Sequence, residues 1–230
     1  MIALMLALLA QDPVSIPDGQ RLGEGETCYT MSMSRNGESR DFGRTLQRVE
    51  RDTIDGRAVL RVVVHQEVQG GAVTMRDAFV LDAGTMVPLS LDSRRNGKPH
   101  VTVAYAPDRI TGERHGADGQ NTAVDVPLPS QVWEGNLYGL TFAALPLAEG
   151  ARFALPFWQY DKAFGEFFVR VTGSRSIETP DGMVDAWVLE AGADEARPLT
   201  YFVAKSDHRE LGYSSGPMAQ MVGGDCAGLD

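Results

Sequence analysis

The chain has 230 residues and a formal net charge of −10. Its 43% hydrophobic and 23% charged residues are typical of a globular protein. Nucleic acids and anionic lipid headgroups are bound by basic surfaces, whereas no Lys/Arg run here is longer than Arg94-Arg95. The charge therefore excludes nucleic-acid partners and argues against electrostatic binding to a membrane surface.

The chain begins with an apolar, uncharged stretch at residues 1–10, followed by a polar segment with prolines. Crossing a bilayer takes about 20 apolar residues, while the shorter length fits the apolar region of a secretory signal. We predict a signal peptide at 1–10 cleaved near Ala10, a flexible segment at 11–23 and a single β-rich domain at 24–230. The mature protein is then expected to lack a transmembrane span. The alternative is that residues 1–10 form a buried strand or helix.

The two cysteines lie near the two ends of the predicted domain, at Cys28 and Cys226. An even pair in an exported protein predicts one disulfide, and together with the signal peptide it predicts a periplasmic location. The alternative is two unrelated thiols. Because there is no third cysteine, a thiolate zinc site is excluded.

Most of the chain alternates apolar and polar residues with a period of two, which is typical of strands. Turn signals such as Asn36-Gly37, Asp55-Gly56 and Asn96-Gly97 separate these runs and favour tight hairpins. The predicted strands are 27–35, 39–53, 57–69, 72–82, 86–95, 98–106, 109–115, 121–127, 151–159, 164–177, 183–191 and 198–213.

The segment 130–145 instead has helical spacing. Its apolar residues are Trp133, Leu137, Leu140 and Ala144. A second stripe, of small residues four apart, consists of Gly135, Gly139 and Ala143. We predict a mainly β protein: one strongly curved antiparallel sheet of about twelve strands, a half-barrel or open barrel, with this one helix covering its concave face. The alternative is a break into two sub-domains around 128–150.

Three segments carry a resemblance to a known family: LPLAEGARFALPF at 145–157, SIETPDGMVDAWVLE at 176–190 and LTYFVAKSDHRELGYSS at 199–215. They resemble a family of exported bacterial proteins classed as a domain of unknown function. The resemblance covers 24–215 and implies a mostly β fold similar to the half-barrel of periplasmic lipoprotein carriers. It brings no catalytic residues.

Aromatic residues are dense between 153 and 168. In an open half-barrel they and the helix would wall an apolar pocket, because ligand sites are mostly apolar concavities. The candidate pocket residues are Trp133, Leu137, Tyr138, Phe157, Trp158, Tyr160 and Phe167. The leading hypothesis is a non-enzymatic periplasmic protein that binds a hydrophobic or lipid-like ligand. The alternatives are a structural or partner-binding envelope protein with a filled core and, third, an exported hydrolase.

Motifs for catalysis are weak. Residues 212–216 spell G-x-S-x-G, but the hydrolase that uses this motif needs a later histidine, and the last one is His208. The pairs His65/Glu67 and His208/Glu210 would build a metal site only if their strands met. We therefore predict no catalytic residue, no metal and no cofactor.

Overall fold

The computed structural model describes residues 16–116 and 118–229. The predicted signal peptide at 1–10, its cleavage near Ala10 and residues 11–15 lie outside this part of the chain. No helix that the described residues form has the length and apolar character needed to span a membrane.

The end of the segment predicted to be flexible packs on the protein. The Asp18 N–H donates to the Ala144 carbonyl at 2.9 Å, and Leu22 is buried. Gly19 lies so close to the sheet that a Cβ there would be 2.5 Å from the Ala83 carbonyl oxygen.

Fifteen strands form one sheet in the described residues. They are β1 (Gly25–Arg35), β2 (Glu38–Ile54), β3 (Arg57–Val68), β4 (Val73–Asp82), β5 (Pro88–Arg95), β6 (Lys98–Ala106), β7 (Arg109–His115), β8 (Asn121–Pro127), β9 (Trp133–Glu134), β10 (Arg152–Gln159), β11 (Ala163–Thr179), β12 (Gly182–Gly192), β13 (Leu199–Ala204), β14 (Glu210–Ser215) and β15 (Met218–Val222). Their order across the sheet is β8-β7-β6-β5-β4-β3-β2-β1-β15-β14-β13-β12-β11-β10-β9. The predicted mainly β fold, built on one open sheet, is confirmed.

The predicted number of about twelve strands is wrong. The run predicted at 198–213 is two strands, β13 and β14, because the chain turns at 205–209, where His208 adopts a left-handed φ of 57°. The last strand, β15, lies beyond the final predicted run. The two-residue strand β9 lies inside the segment predicted to be helical.

The helix α1 (Tyr138–Ala143) is much shorter than the predicted segment. Upstream of it, β9 pairs in parallel with β10, and the Gly135 N–H donates to the Trp158 carbonyl at 2.9 Å. A Cβ at Gly135 would lie 2.8 Å from the Phe157 ring. The small residue therefore lets the chain lie against β10 as extended backbone, and helix begins only afterwards.

The hairpin turns follow the predicted chemistry. Asn36-Gly37, Asp55-Gly56 and Asn96-Gly97 all have positive φ at both residues, with Asn36 at 54° and Gly37 at 83°. Type I′ turns require this conformation, which Asn, Asp and Gly adopt at low cost.

The sheet has an N-terminal arm, β1–β8, and a C-terminal arm, β9–β15, which curl until they touch. The rings of Tyr105 on β6 and Trp158 on β10 meet edge to face, 5.9 Å apart. The Trp133 indole N–H donates to the Thr85 carbonyl at 3.1 Å. The edge strands β8 and β9 do not pair, so the sheet stays open.

Two hydrophobic clusters of described residues lie on the sheet. The larger cluster lies between the two arms and α1 and includes Leu60, Phe79, Leu140 and Phe157. The smaller cluster belongs to the C-terminal arm and consists of Ile177, Ala186, Phe202, Ala204 and Leu211.

The predicted disulfide is confirmed: Cys28 and Cys226 are bonded across a sequence separation of 198 residues. It lies where the first and last strands meet, next to the Tyr29↔Val222 pair of β1 and β15. The Gly223 N–H also donates to the Cys28 carbonyl at 2.8 Å.

Replacing both cysteines by serine, C28S with C226S, is expected to lower the free energy of unfolding. Loss of so long a closed loop costs up to roughly 5 kcal/mol by the chain-entropy argument. Urea denaturation of the oxidised protein and the double variant measures the difference. Equal midpoints and slopes for the two proteins would contradict a stabilising crosslink.

Candidate binding site

The structure brings the seven predicted pocket residues together in one hydrophobic cluster. Phe157 and Phe167 stack with ring centroids 3.9 Å apart, and Tyr138 meets Phe167 edge to face at 5.6 Å. Tyr138 is half-buried, and the buried members are Trp133, Leu137, Phe157, Trp158, Tyr160 and Phe167. None of the seven lines one of the four described cavities. In this aromatic layer Tyr138 belongs to α1, Leu137 directly precedes the helix, and the other five residues lie on strands β9–β11 or directly after β10.

A cavity of about 280 Å³ lies beside α1 and is called the α1 cavity here. It is lined by residues 22–27, Tyr29, Gln47, Val49, Leu140 and residues 207–210. Leu22, Val49 and Leu140 make part of its wall apolar, and the rest of the wall is polar.

Elements of both arms position the polar residues of this cavity. Tyr29 on β1 donates its hydroxyl hydrogen to the Glu210 carbonyl at 3.1 Å, and the Gln47 amide on β2 donates to the Tyr29 oxygen at 3.4 Å. These contacts arise because β1 pairs with β15 and β15 pairs with β14. The turn before β14 is fastened to α1, since His208 Nδ1 lies 2.8 Å from the Ala143 carbonyl. This contact requires Nδ1 to carry the hydrogen.

The Glu210 side chain is the most unusual group in the cavity wall, because a carboxyl is rarely buried. Its residue is only 6% exposed. Burial raises the pKa of Glu210 from 4.5 to about 7, and the hydrogen bond from the Gln47 amide opposes that shift. Helix α1 lies directly on the carboxyl: a Cβ at Gly139 would be 2.1 Å from Oε1.

Tyrosines surround this carboxyl. Burial, and after it the Glu210 carboxylate, raises the pKa of Tyr29 well above 10. Burial is likewise the main cause of the raised pKa values of Tyr138, Tyr201 and Tyr213. All four hydroxyls therefore keep their hydrogens near neutral pH.

A second buried carboxyl, Glu134, lies between the two arms and is 2% exposed. It accepts hydrogen bonds from the Tyr105 hydroxyl and, at 3.1 and 2.9 Å, from the backbone and side-chain amides of Asn136. Burial raises its pKa from 4.5 to about 7 despite these donors. Because Tyr105 belongs to the N-terminal arm and Glu134 to the C-terminal arm, their hydrogen bond joins the two arms.

The two His/Glu pairs and the serine motif noted in the sequence lie in different parts of the structure. His208 and Glu210 both line the α1 cavity, whereas Glu67 lines a separate outer groove and binds Arg44 at 3.2 Å. In residues 16–116 and 118–229, no group of three or more His, Cys, Asp or Glu side chains is arranged to hold a metal ion. The serine motif lies in the β14–β15 hairpin, and no helix follows it in the part of the chain that the structure describes.

The family model described as "Protein of unknown function (DUF3108)" matches residues 28–214. The chain belongs to this family. The DUF3108 match includes Tyr29, Gln47, Leu140 and Glu210 of the α1 cavity. No curated protein matches the chain. The family membership expected from the sequence is confirmed, and the similarity to lipoprotein-carrier half-barrels stays a prediction.

Sequence reasoning missed most of this site. It noted Glu210 only as a neighbour of His208, and it singled out neither Gln47 nor Glu134. The signal available for Glu210 is an acid at the start of a strand whose next residues, 211–213, are apolar or glycine. The alternation of apolar and polar residues predicts which face of the sheet such a residue lies on. It does not predict which residues of other strands lie next to it.

The variant Glu134→Gln is expected to weaken the pH dependence of stability. A carboxyl with a raised folded-state pKa keeps a proton that the unfolded chain loses, so stability is greatest below about pH 4.5 and falls as pH rises towards about 7. Each such group contributes at most about 1.4 kcal/mol per pH unit in this window. Urea denaturation across that pH range compares wild type with E134Q.

The control for this comparison is Glu166→Gln, which removes one charge from an exposed position on β11. It is expected to keep the wild-type slope. A slope in E134Q equal to that of wild type would show that Glu134 does not hold the extra proton.

Proposed function

We propose that the protein is an exported, non-enzymatic binding protein of the periplasm that takes a lipid-like ligand with a polar end. The observation that carries the proposal is the α1 cavity, which combines apolar walls with a buried carboxyl. Its volume of about 280 Å³ lies just below the usual range of ligand pockets, which is about 300–1,000 Å³. A small ligand, or the polar end of a longer one, fits that size.

The aromatic layer has a supporting role in this proposal. Phe167 of this layer meets Tyr138 and Phe142 of α1 edge to face at 5.6 and 5.5 Å, and these contacts hold α1 against the sheet. The first turn of α1 lies on the Glu210 side chain, which Gly139 contacts closely. If α1 moved outward from this contact, the apolar part of the ligand would extend from Leu140 towards the aromatic layer.

Export is supported by the disulfide between Cys28 and Cys226, because cystines persist in oxidising compartments. The proposal keeps the signal peptide at 1–10 and the mature single domain at 24–230. The proposal also keeps the non-enzymatic role predicted from the sequence.

The second candidate function is a partner-binding envelope protein with a filled core. The stacking of Phe157 on Phe167 at 3.9 Å, within an aromatic layer that lines no described cavity, favours it.

Native mass spectrometry of the protein purified from the periplasm tests the ligand proposal. We expect a bound species of lipid mass, and a protein mass that corresponds to cleavage near Ala10. The variant Leu140→Phe, which fills the α1 cavity, is expected to lose the bound species.

Leu128→Phe is the matched control, because Leu128 lines a different cavity; it should keep the ligand. A bare protein mass for wild type, also after incubation with lipid extract, would contradict ligand binding and favour the partner-binding function.

A further inference from the structure

The wall of the α1 cavity carries more negative than positive groups. Its acids are Glu24, Glu26, Asp207 and Glu210, and its bases are His208 and Arg209. Arg209 is drawn to Asp181, 3.5 Å away, which does not line the cavity. An anionic ligand entering this cavity would therefore meet repulsion, and a cation would meet attraction.

The acids at the rim already have partners. Glu26 binds Arg48 at 2.6 Å, and Glu24 accepts the Arg51 backbone N–H at 2.7 Å. Asp207 accepts the backbone N–H of Arg209 at 3.0 Å. These three carboxylates therefore contribute a negative electrostatic potential to the cavity, and they do not contact the ligand directly.

Glu210 differs, because the described residues give its carboxyl one donor, the Gln47 amide. The same amide also donates to the Tyr29 oxygen at 3.4 Å. A carboxylate has two oxygens and accepts up to about four hydrogen bonds, and leaving a buried charge underpaired is costly. The other buried carboxylate, Glu134, accepts from three donors and lines no described cavity. Compared with Glu134, Glu210 therefore has acceptor capacity left for a donor group of a ligand in the cavity.

We infer that the α1 cavity binds an organic cation, whose protonated amine donates to the Glu210 carboxylate and whose apolar part lies on Leu140 and Val49. This inference rests on the proposed function and names the chemistry of its ligand. An ammonium group brings three donors and no acceptor, so it supplies what the Glu210 oxygens lack.

Binding is coupled to pH, since the amine pairs with the ionised carboxyl and the free site holds a proton up to about pH 7. The groups that face Glu210 from the packed elements are Tyr29 on β1, Gln47 on β2, Tyr138 on α1, Tyr201 on β13, Tyr213 on β14 and the turn residues Asp207, His208 and Arg209. The tyrosines stay neutral near pH 7, because their pKa values are raised above 10. Affinity is therefore expected to rise with pH up to about 7 and to level off above it.

Isothermal titration calorimetry of the mature protein tests the inference with three probes of one chain length: octylamine, octanol and octanoate. At about pH 7.5 we expect octylamine to bind at least about tenfold more tightly than octanol, and octanoate to bind least. Octylamine affinity should fall by up to about tenfold per pH unit below about 7, and octanol affinity should not.

The variant Glu210→Gln is expected to bring octylamine down to the affinity of octanol and to remove the pH dependence. Glu166→Gln, which removes an exposed charge on β11, is the control and should behave as wild type. If E210Q does not fold, the probe and pH series on wild type still decides the question.

Each outcome has one meaning. Equal binding of the three probes, or octylamine binding that does not change with pH, overturns the cation inference and leaves the ligand site in place. Preference for octanoate overturns it as well. If no probe binds, the cation inference fails, and the native mass spectrum then shows separately whether the ligand proposal fails with it.

Discussion

The pairing of the first strand with the last holds this fold together. β1 and β15 join through five residue pairs, from Tyr29↔Val222 to Met33↔Met218, and without them the sheet would be two separate meanders. The ends of the chain must meet for this, which carries a loop-closure entropy that local hairpins do not have. The Cys28–Cys226 disulfide acts at the same place and lowers that cost by restricting the unfolded chain.

The candidate site is a direct product of this joint. Tyr29 and Gln47 come from the N-terminal arm, while Glu210 comes from the C-terminal arm, two strands away from β1. The arms also meet at their far ends, where Tyr105 on β6 donates to Glu134 on β9. Glu134 thus accepts hydrogen bonds from three donors and fastens the arms, whereas Glu210 has one donor and belongs to the wall of a cavity. The same residue type has a structural role at Glu134, and we propose a binding role for it at Glu210, where fewer donors reach the carboxyl.

Local features of this fold were readable from the sequence, and distant contacts were not. Alternation predicts most strands to within a few residues, and Asn-Gly and Asp-Gly pairs predict the hairpin turns, because both signals depend on neighbours in the chain. The helical spacing of 130–145 is misleading, since Gly135 allows the backbone to lie on β10 and leaves only Tyr138–Ala143 helical. The role of Glu210 depends on Tyr29 and Gln47, more than 160 residues away in sequence, and no local pattern reports that.

The most direct measurement is an NMR titration of the glutamate side-chain carboxyl carbons, with the Glu210 signal assigned by its absence from E210Q. If the joint between β1 and β15 buries this carboxyl as described, its carbon titrates near pH 7. Titration near the ordinary value of 4.5 would show that water reaches Glu210 freely, and the buried, underpaired carboxyl at the base of the α1 cavity would not exist.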